Sequence, residues 1–457
     1  MKKLNGTSWR SVAGALLCCA LLCWPHGAAT AEATRTGSAD VAGKKALIDS
    51  FELIWGTLRE RYWDSSMAGL NWQAIHDKYL HKIRTATKPE EARQLMNEMI
   101  ERLPSSHLAL IPAWAYETHT ANDSRYPSRD PSTPEDEANE ASGEGSTGLA
   151  VTVIDSAAVV EFVEKESPAE NSGVHPGWII DSVDGKNPKD LFRFITTTQR
   201  DEKAALVAEI VHGWLTGPVG SRVEVSFTRG DGTHASYDIP LREAAGKLVT
   251  FTNLPPEHVS IEHRKLANDV GYIRLNLFLD PVSVMPEMET AIHDFQQSPA
   301  IILDLRNNPG GLGVMAMGIA GWFVSREGLE LGTMQGRSFG MKFEINPRLD
   351  AYTGRLAILV NGGSASTTEI LAQGLQDLKR ARIFGSRTAG AALPSDIIEL
   401  PDGDRFQYPE ANYVSVNGRV LEGNGVRPDV VVRPTIAALL EGRDLVLEAA
   451  SQWSIEK

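Results

Sequence analysis

The sequence predicts a multidomain α/β protein, and three observations lead to that class. Residues from about 40 to 117 carry apolar side chains at helical spacing, residues from 147 onward form short alternating strands, and residues from about 250 alternate strands with helices. At 457 residues the chain exceeds what one core serves, so roughly two to four domains are expected. Apolar content of 42% against 23% charged residues excludes wholesale disorder. A formal net charge of −14 argues against a nucleic-acid surface, which needs clustered lysine and arginine.

The first 31 residues have the pattern of a secretory signal. Lys2, Lys3 and Arg10 precede an apolar run from Val12 to Trp24, too short to span a bilayer, and Ala29-Thr30-Ala31 is a small-residue cleavage site. Export to the periplasm or beyond is the expectation. All three cysteines (Cys18, Cys19, Cys23) lie in this segment, so the mature chain would hold no disulfide; a lipoprotein anchor at one of them is the alternative. No later stretch is long and apolar enough for a transmembrane helix.

In residues 32–118, Ile48, Phe51, Leu53, Ile54, Trp55, Leu58 and Tyr62 form one stripe, Trp72, Ala74, Tyr79, Leu80 and Ile83 continue it, and Lys88-Pro89-Glu90-Glu91 opens a further helix. This predicts a helical domain that stops at Leu103-Pro104-Ser105-Ser106-His107, where alternation begins. Residues 119–146 are rich in Ser, Pro, Asp and Glu and read as a linker. Residues 147–245 read as a β-rich domain with a helical insertion near 187–217, and 246–457 as the α/β domain.

The chemistry is expected at Leu356 to Asp377. An apolar strand ends at Val360, a turn of small residues follows, and helical spacing begins near Thr367. A serine in such an elbow stands clear of the sheet, and the helix behind it offers unpaired N–H groups to an oxyanion. Ser364 and Ser366 are the candidates; ordinary helix capping is the competing reading. The turn Arg306-Asn307-Asn308-Pro309-Gly310-Gly311 lacks the lysine of a phosphate loop and the spacing of a dinucleotide fingerprint, but its N–H groups suit an oxyanion. No His-Glu-x-x-His run or trusted metal-ligand spacing occurs, so no cofactor is expected.

Ser167-Pro168-Ala169, Trp178-Ile179-Ile180 and Val183-Asp184-Gly185 resemble a PDZ domain of the bacterial processing-protease kind, although Trp178 stands where Asp is usual. That resemblance implies that Thr147, Gly148 and Leu149 form a loop capturing a peptide carboxylate. With Asp304-Leu305-Arg306 and the Ser364-Ala365-Ser366 run, the chain resembles the C-terminal processing (tail-specific) proteases. The resemblance implies a serine endopeptidase with Ser366 as nucleophile and Gly310, or its neighbour Gly311, and Thr367 as oxyanion donors. The lysine base of the tail-specific members is missing: Thr388-Ala389-Gly390 is followed by Ala391, and Lys379 reads as a solvated side chain. A second branch, similar to the tricorn core protease, uses a Ser-His pair and a Glu instead, matched here by Ser106-His107 and by Glu422 before Gly425-Val426-Arg427-Pro428-Asp429. In that arrangement His107 is the general base and Ser106 and Glu422 support it. Protein or peptide substrates bound through an apolar C-terminus follow. The lost lysine leaves a catalytically inactive peptide- or apolar-ligand-binding relative as the alternative, and a PDZ-led adaptor as a third reading.

Overall fold

The computed structural model describes residues 38–116, 144–194, 200–251 and 253–456. The expected signal segment 1–31 lies outside the described residues, as do 119–143 of the expected linker. Among the described residues no helix is long and apolar enough to cross a membrane.

Three helices, Ser38–Arg61, Trp72–Thr85 and Pro89–Ile100, open the described chain. Their starts follow local chemistry: the Asn71 side chain accepts the Ala74 N–H, and Pro89 with Glu90 and Glu91 occupies a first turn whose free N–H groups favour acid. The apolar stripes do not close on themselves. Phe51, Ile54, Leu58, Tyr79, Met96 and Met99 share one core with Leu400, Phe406 and Tyr408, more than three hundred residues away. The strand Ala109–Ile111 extends this union, pairing antiparallel with Arg405–Pro409, which pairs in turn with Ser395–Glu399. A fork from Arg93 to the buried Asp404 (2.5 and 3.0 Å) ties helix to hairpin.

The β-rich unit is a five-stranded antiparallel sheet in the order Leu149–Ile154, Ala157–Val163, Ile179–Val183, Arg222–Thr228 and His234–Pro240. Leu149–Ile154 is left on an edge. The helix Arg200–Trp214 is more than an insertion, because its Leu206, Val207, Ile210 and Val211 complete the core beneath Val151, Ile180 and Val225. Glu144–Ser146, at the end of the expected linker, is a strand pairing with Thr216–Pro218 and Arg242–Glu243; its Gly145 takes the tight approach to Leu241 that a side chain would block.

The α/β unit is built on a six-stranded sheet ordered Ile261–Lys265, Gly271–Leu275, Ala300–Asp304, Arg355–Val360, Arg382–Gly385 and Val430–Val431. The first pair is antiparallel and the others parallel. The helices Pro281–Asp294, Gly313–Gly321 and Thr367–Asp377 cover one face and Leu445–Ile455 the other, which is why the central strands read as unbroken apolar runs. Three adjacent parallel strands, ending at Asp304, Val360 and Gly385, release their following loops side by side at their carboxyl ends. Ligand sites of open α/β sheets form at such edges.

Candidate active site

The loop that carries the two candidate serines leaves the strand Arg355–Val360 and enters the helix Thr367–Asp377 at Ser366. The two serine candidates separate at once. Ser364 is fully buried and its hydroxyl is spent, donating to the Leu305 carbonyl (2.7 Å) and accepting the Asn361 N–H (3.0 Å). Ser366 alone is partly exposed among buried neighbours from Ser364 to Ile370. Its backbone is left-handed (φ 53°, ψ −119°), a conformation that costs on the order of 1–3 kcal/mol in a non-glycine residue and collects at functional sites.

The glycine turn after the strand Ala300–Asp304 packs against this elbow. A Cβ on Gly310 (φ 108°) would stand 2.7 Å from the Ser366 Cβ and 2.9 Å from the Thr367 nitrogen, so only glycine allows the approach. Asn308, fully buried, stitches the two loops: its carbonyl accepts the Ala365 N–H (3.0 Å), and its side-chain oxygen accepts the Gly310 N–H (2.9 Å) and the Thr368 hydroxyl (3.0 Å). The Gly310 amide is therefore engaged, which leaves the Gly311 amide as the freer donor on this turn. The turn's entrance is pinned by Arg306, whose guanidinium contacts Asp304 (2.6 Å) and Asp444 (2.7 Å). Burial works to raise the Asp304 carboxyl, but Arg306 outweighs it and holds the group below its ordinary value.

The loop after Arg382–Gly385 completes the floor. Ala391 is fully buried, and its carbonyl accepts the Ser366 N–H at 2.8 Å. One residue on, the Ala392 N–H donates to Glu422 Oε2 (3.2 Å). Glu422 also accepts the Ser106 N–H on Oε1 (2.7 Å) and the Ser106 hydroxyl on Oε2 (2.9 Å), while Ser106 Oγ lies 2.8 Å from His107 Nδ1. Ser106 has one proton, and a carboxylate holding three donors takes it; Ser106 Oγ then accepts from Nδ1–H, leaving the lone pair on Nε2. Burial pushes the His107 imidazole down to about 4, so it is neutral at working pH. His107, like Ser366, has a left-handed backbone (φ 58°). Burial raises the Glu422 carboxyl, opposed by its three donors. Lys379 is exposed just beyond the C-terminal end of the helix Thr367–Asp377.

Glu369 escaped the sequence reading. It is fully buried at the third position of the helix Thr367–Asp377, where burial pushes its carboxyl up to about 7 against the pull of the Thr388 hydroxyl and the Gly390, Ala391 and Ser366 amides. The Ser366-Thr367-Thr368-Glu369 spacing of a capping box was the available signal. Thr147, Gly148 and Leu149 lie apart, in the β-rich unit. Their amides have local acceptors: Leu215 O (3.3 Å), Ser146 Oγ (3.0 Å) and Thr147 Oγ1 (3.4 Å). A cavity of about 930 Å³ runs from the edge strand Leu149–Ile154 and Ala205, Ala208 and His212 of the helix to Asn307 and Asn361–Gly363, just before the serine elbow.

Parts of the chain match known families. Residues 269–432 match peptidase family S41 and residues 49–101 match the tricorn protease C1 domain. The chain is similar to the probable CtpA-like serine protease of Staphylococcus haemolyticus (28% identity over 272 residues, 59% of this chain and 48% of that protein). It is also similar to the carboxyl-terminal-processing protease of a Synechocystis species (27% over 403 residues, 87% and 83%). The match thus spans about half the length of the staphylococcal relative and most of the cyanobacterial one. The fold resembles the photosystem II D1 C-terminal processing protease (TM-score 0.54, 22% identity, 85% of this chain and 93% of that one). The glycine turn and the serine elbow thus lie in a region with a counterpart in sequence, and the chain carries a peptidase family S41 domain at residues 269–432 and a tricorn protease C1 domain at residues 49–101.

Proposed function

We propose that this chain is an exported serine endopeptidase that cleaves peptide bonds through an acyl-enzyme on Ser366. His107 Nε2 takes the Ser366 proton as the hydroxyl attacks the scissile carbonyl and returns it to the leaving amine. Ser106 and Glu422 hold the imidazole in its Nδ1–H form and offset the charge it gains. The oxyanion is received by the Thr367 amide, at the N-terminus of its helix, and by the glycine turn at Gly310–Gly311. No metal or organic cofactor enters these steps. The β-rich unit acts as a PDZ-like module, with Leu149–Ile154 as its open edge and Thr147, Gly148 and Leu149 as its carboxylate loop, and takes an apolar C-terminus of a protein substrate.

The observation that supports this most is the run of contacts from His107 through Ser106 and Glu422 to Ala392, whose neighbour Ala391 holds the Ser366 amide. It links His107 to the Ser366 backbone through adjacent residues of one loop and favours the Nδ1–H tautomer of the imidazole. A fluorophosphonate probe is expected to label the wild-type chain on Ser366 and to leave Ser366→Ala unlabelled and inactive on an unfolded protein substrate. Undiminished cleavage by folded Ser366→Ala refutes the proposal.

A further inference from the structure

Four hydrogen bonds converge on the buried Glu369 carboxylate, and their destinations are unusual for a helix cap. A capping glutamate at this position needs only the amide of the cap residue, here Ser366 N–H on Oε2 at 3.1 Å. The other three come from the loop of the neighbouring strand: Ala391 N–H on Oε2 (2.9 Å), Gly390 N–H on Oε1 (2.8 Å), and the Thr388 hydroxyl on Oε1. Thr388 is itself oriented for donation, since its oxygen accepts the Val426 N–H (2.6 Å). Each donor lies in the elbow or in the loop that continues into Ala392, the residue whose amide holds Glu422.

We propose that Glu369 is a positioning residue of the peptidase site: by gripping the Ser366 amide and the Thr388–Ala391 loop at once, it sets where the nucleophile stands relative to the His107–Ser106–Glu422 group. The inference rests on the Ser366 reading above. The carboxylate has no exposed surface, so it touches no substrate and acts through the backbone it holds. Glutamine at this position keeps one acceptor oxygen and turns an amide donor toward N–H groups, so two of the four bonds are lost. The Ala391 carbonyl then no longer has a fixed place from which to hold Ser366. Displacement of a nucleophile by about 1 Å costs on the order of 100-fold in rate.

The test compares wild type, Ser366→Ala and Glu369→Gln for cleavage of an unfolded protein substrate and for the second-order rate of fluorophosphonate labelling. Glu369→Gln is expected to lower kcat and the labelling rate by roughly 10- to 100-fold with KM within about twofold. A kcat equal to wild type, or a loss confined to KM, overturns the assignment while Ser366→Ala remains inactive. Cleavage by Ser366→Ala at the wild-type rate instead overturns the underlying site. If Glu369→Gln does not fold, Thr388→Val and Thr388→Ser decide: a fall in kcat for valine that serine restores supports the role, and equal kcat for both rejects it.

Discussion

Neutrality of His107 is the electrostatic condition for the proposed base, and its pH dependence is the most quantitative consequence of the fold. An imidazole of ordinary pKa near 6.5 is about 9% neutral at pH 5.5. With burial pushing His107 down to about 4, roughly 97% is neutral at that pH, a tenfold difference in competent enzyme. The acid limb of kcat/KM is therefore expected near pH 4, measured on a short peptide between pH 3.5 and 8 with folding followed in parallel. The same displacement carries a stability signature. Because the folded pKa lies below the unfolded one, the unfolded chain takes up the proton first, and stability falls as pH drops from about 6.5 to about 4. The loss amounts to about 3 kcal/mol at 1.36 kcal/mol per unit. Glu369, raised to about 7 by burial, works in the opposite sense between pH 4.5 and 7, so the His107 contribution is read from the difference between wild type and His107→Asn. Denaturant titrations at pH 4.5, 5.5 and 7 isolate it. An acid limb at pH 6.5, together with identical pH slopes for the two proteins, refutes the buried neutral imidazole.

Three further consequences are open to direct measurement. Gly310→Ala puts a methyl 2.7 Å from the Ser366 Cβ at a φ of 108°; a stability cost of about 1–3 kcal/mol, read by denaturant titration, and a loss of labelling of more than about tenfold are expected, and a wild-type labelling rate contradicts the close approach. Glu422→Gln turns a donor toward either the Ser106 or the Ala392 amide, which bond opposite carboxylate oxygens, so kcat is expected to fall roughly 10- to 100-fold at constant KM, checked by steady-state kinetics; an unchanged kcat removes Glu422 from the proposed relay. Arg93→Ala leaves the buried Asp404 unpaired, and since the arginine is partly solvated, roughly 2–3 kcal/mol of stability is lost. The helical unit should loosen from the hairpin and activity fall with it, which hydrogen exchange at Ala109–Ile111 reports.

Much of the local structure was legible in the residue order. The run ending at Val360, the small-residue turn and the helix from Thr367 follow from β-branched and helical spacing, and the structure has a strand to Val360 and a helix from Thr367. Pro89, with two acids behind it, starts a helix where helix-end chemistry says it should. The choice between Ser364 and Ser366 was not open to such reasoning, because both sit in good capping sequence; the Leu305 carbonyl, 59 positions away, spends one of them. Glu369 was visible as a capping glutamate and nothing more, since three of its four donors belong to a loop some 20 positions further on. Glu144–Ser146 has linker composition yet forms a strand, because two partner segments supply its ladder and offset its low propensity.

Local order of side chains determined the central apolar strands, the elbow and the first helices, since hydrogen bonding and steric freedom within a few residues select them. What the tertiary structure decided is that Ser106 and His107 stand beside Glu422, 316 positions from Ser106. No spacing encodes that meeting: it exists because apolar stripes of the first helices stay unburied until they close on Phe406 and Tyr408, and the pairing of Ala109–Ile111 with that hairpin carries the imidazole to the edge of a sheet folded from the other half of the chain.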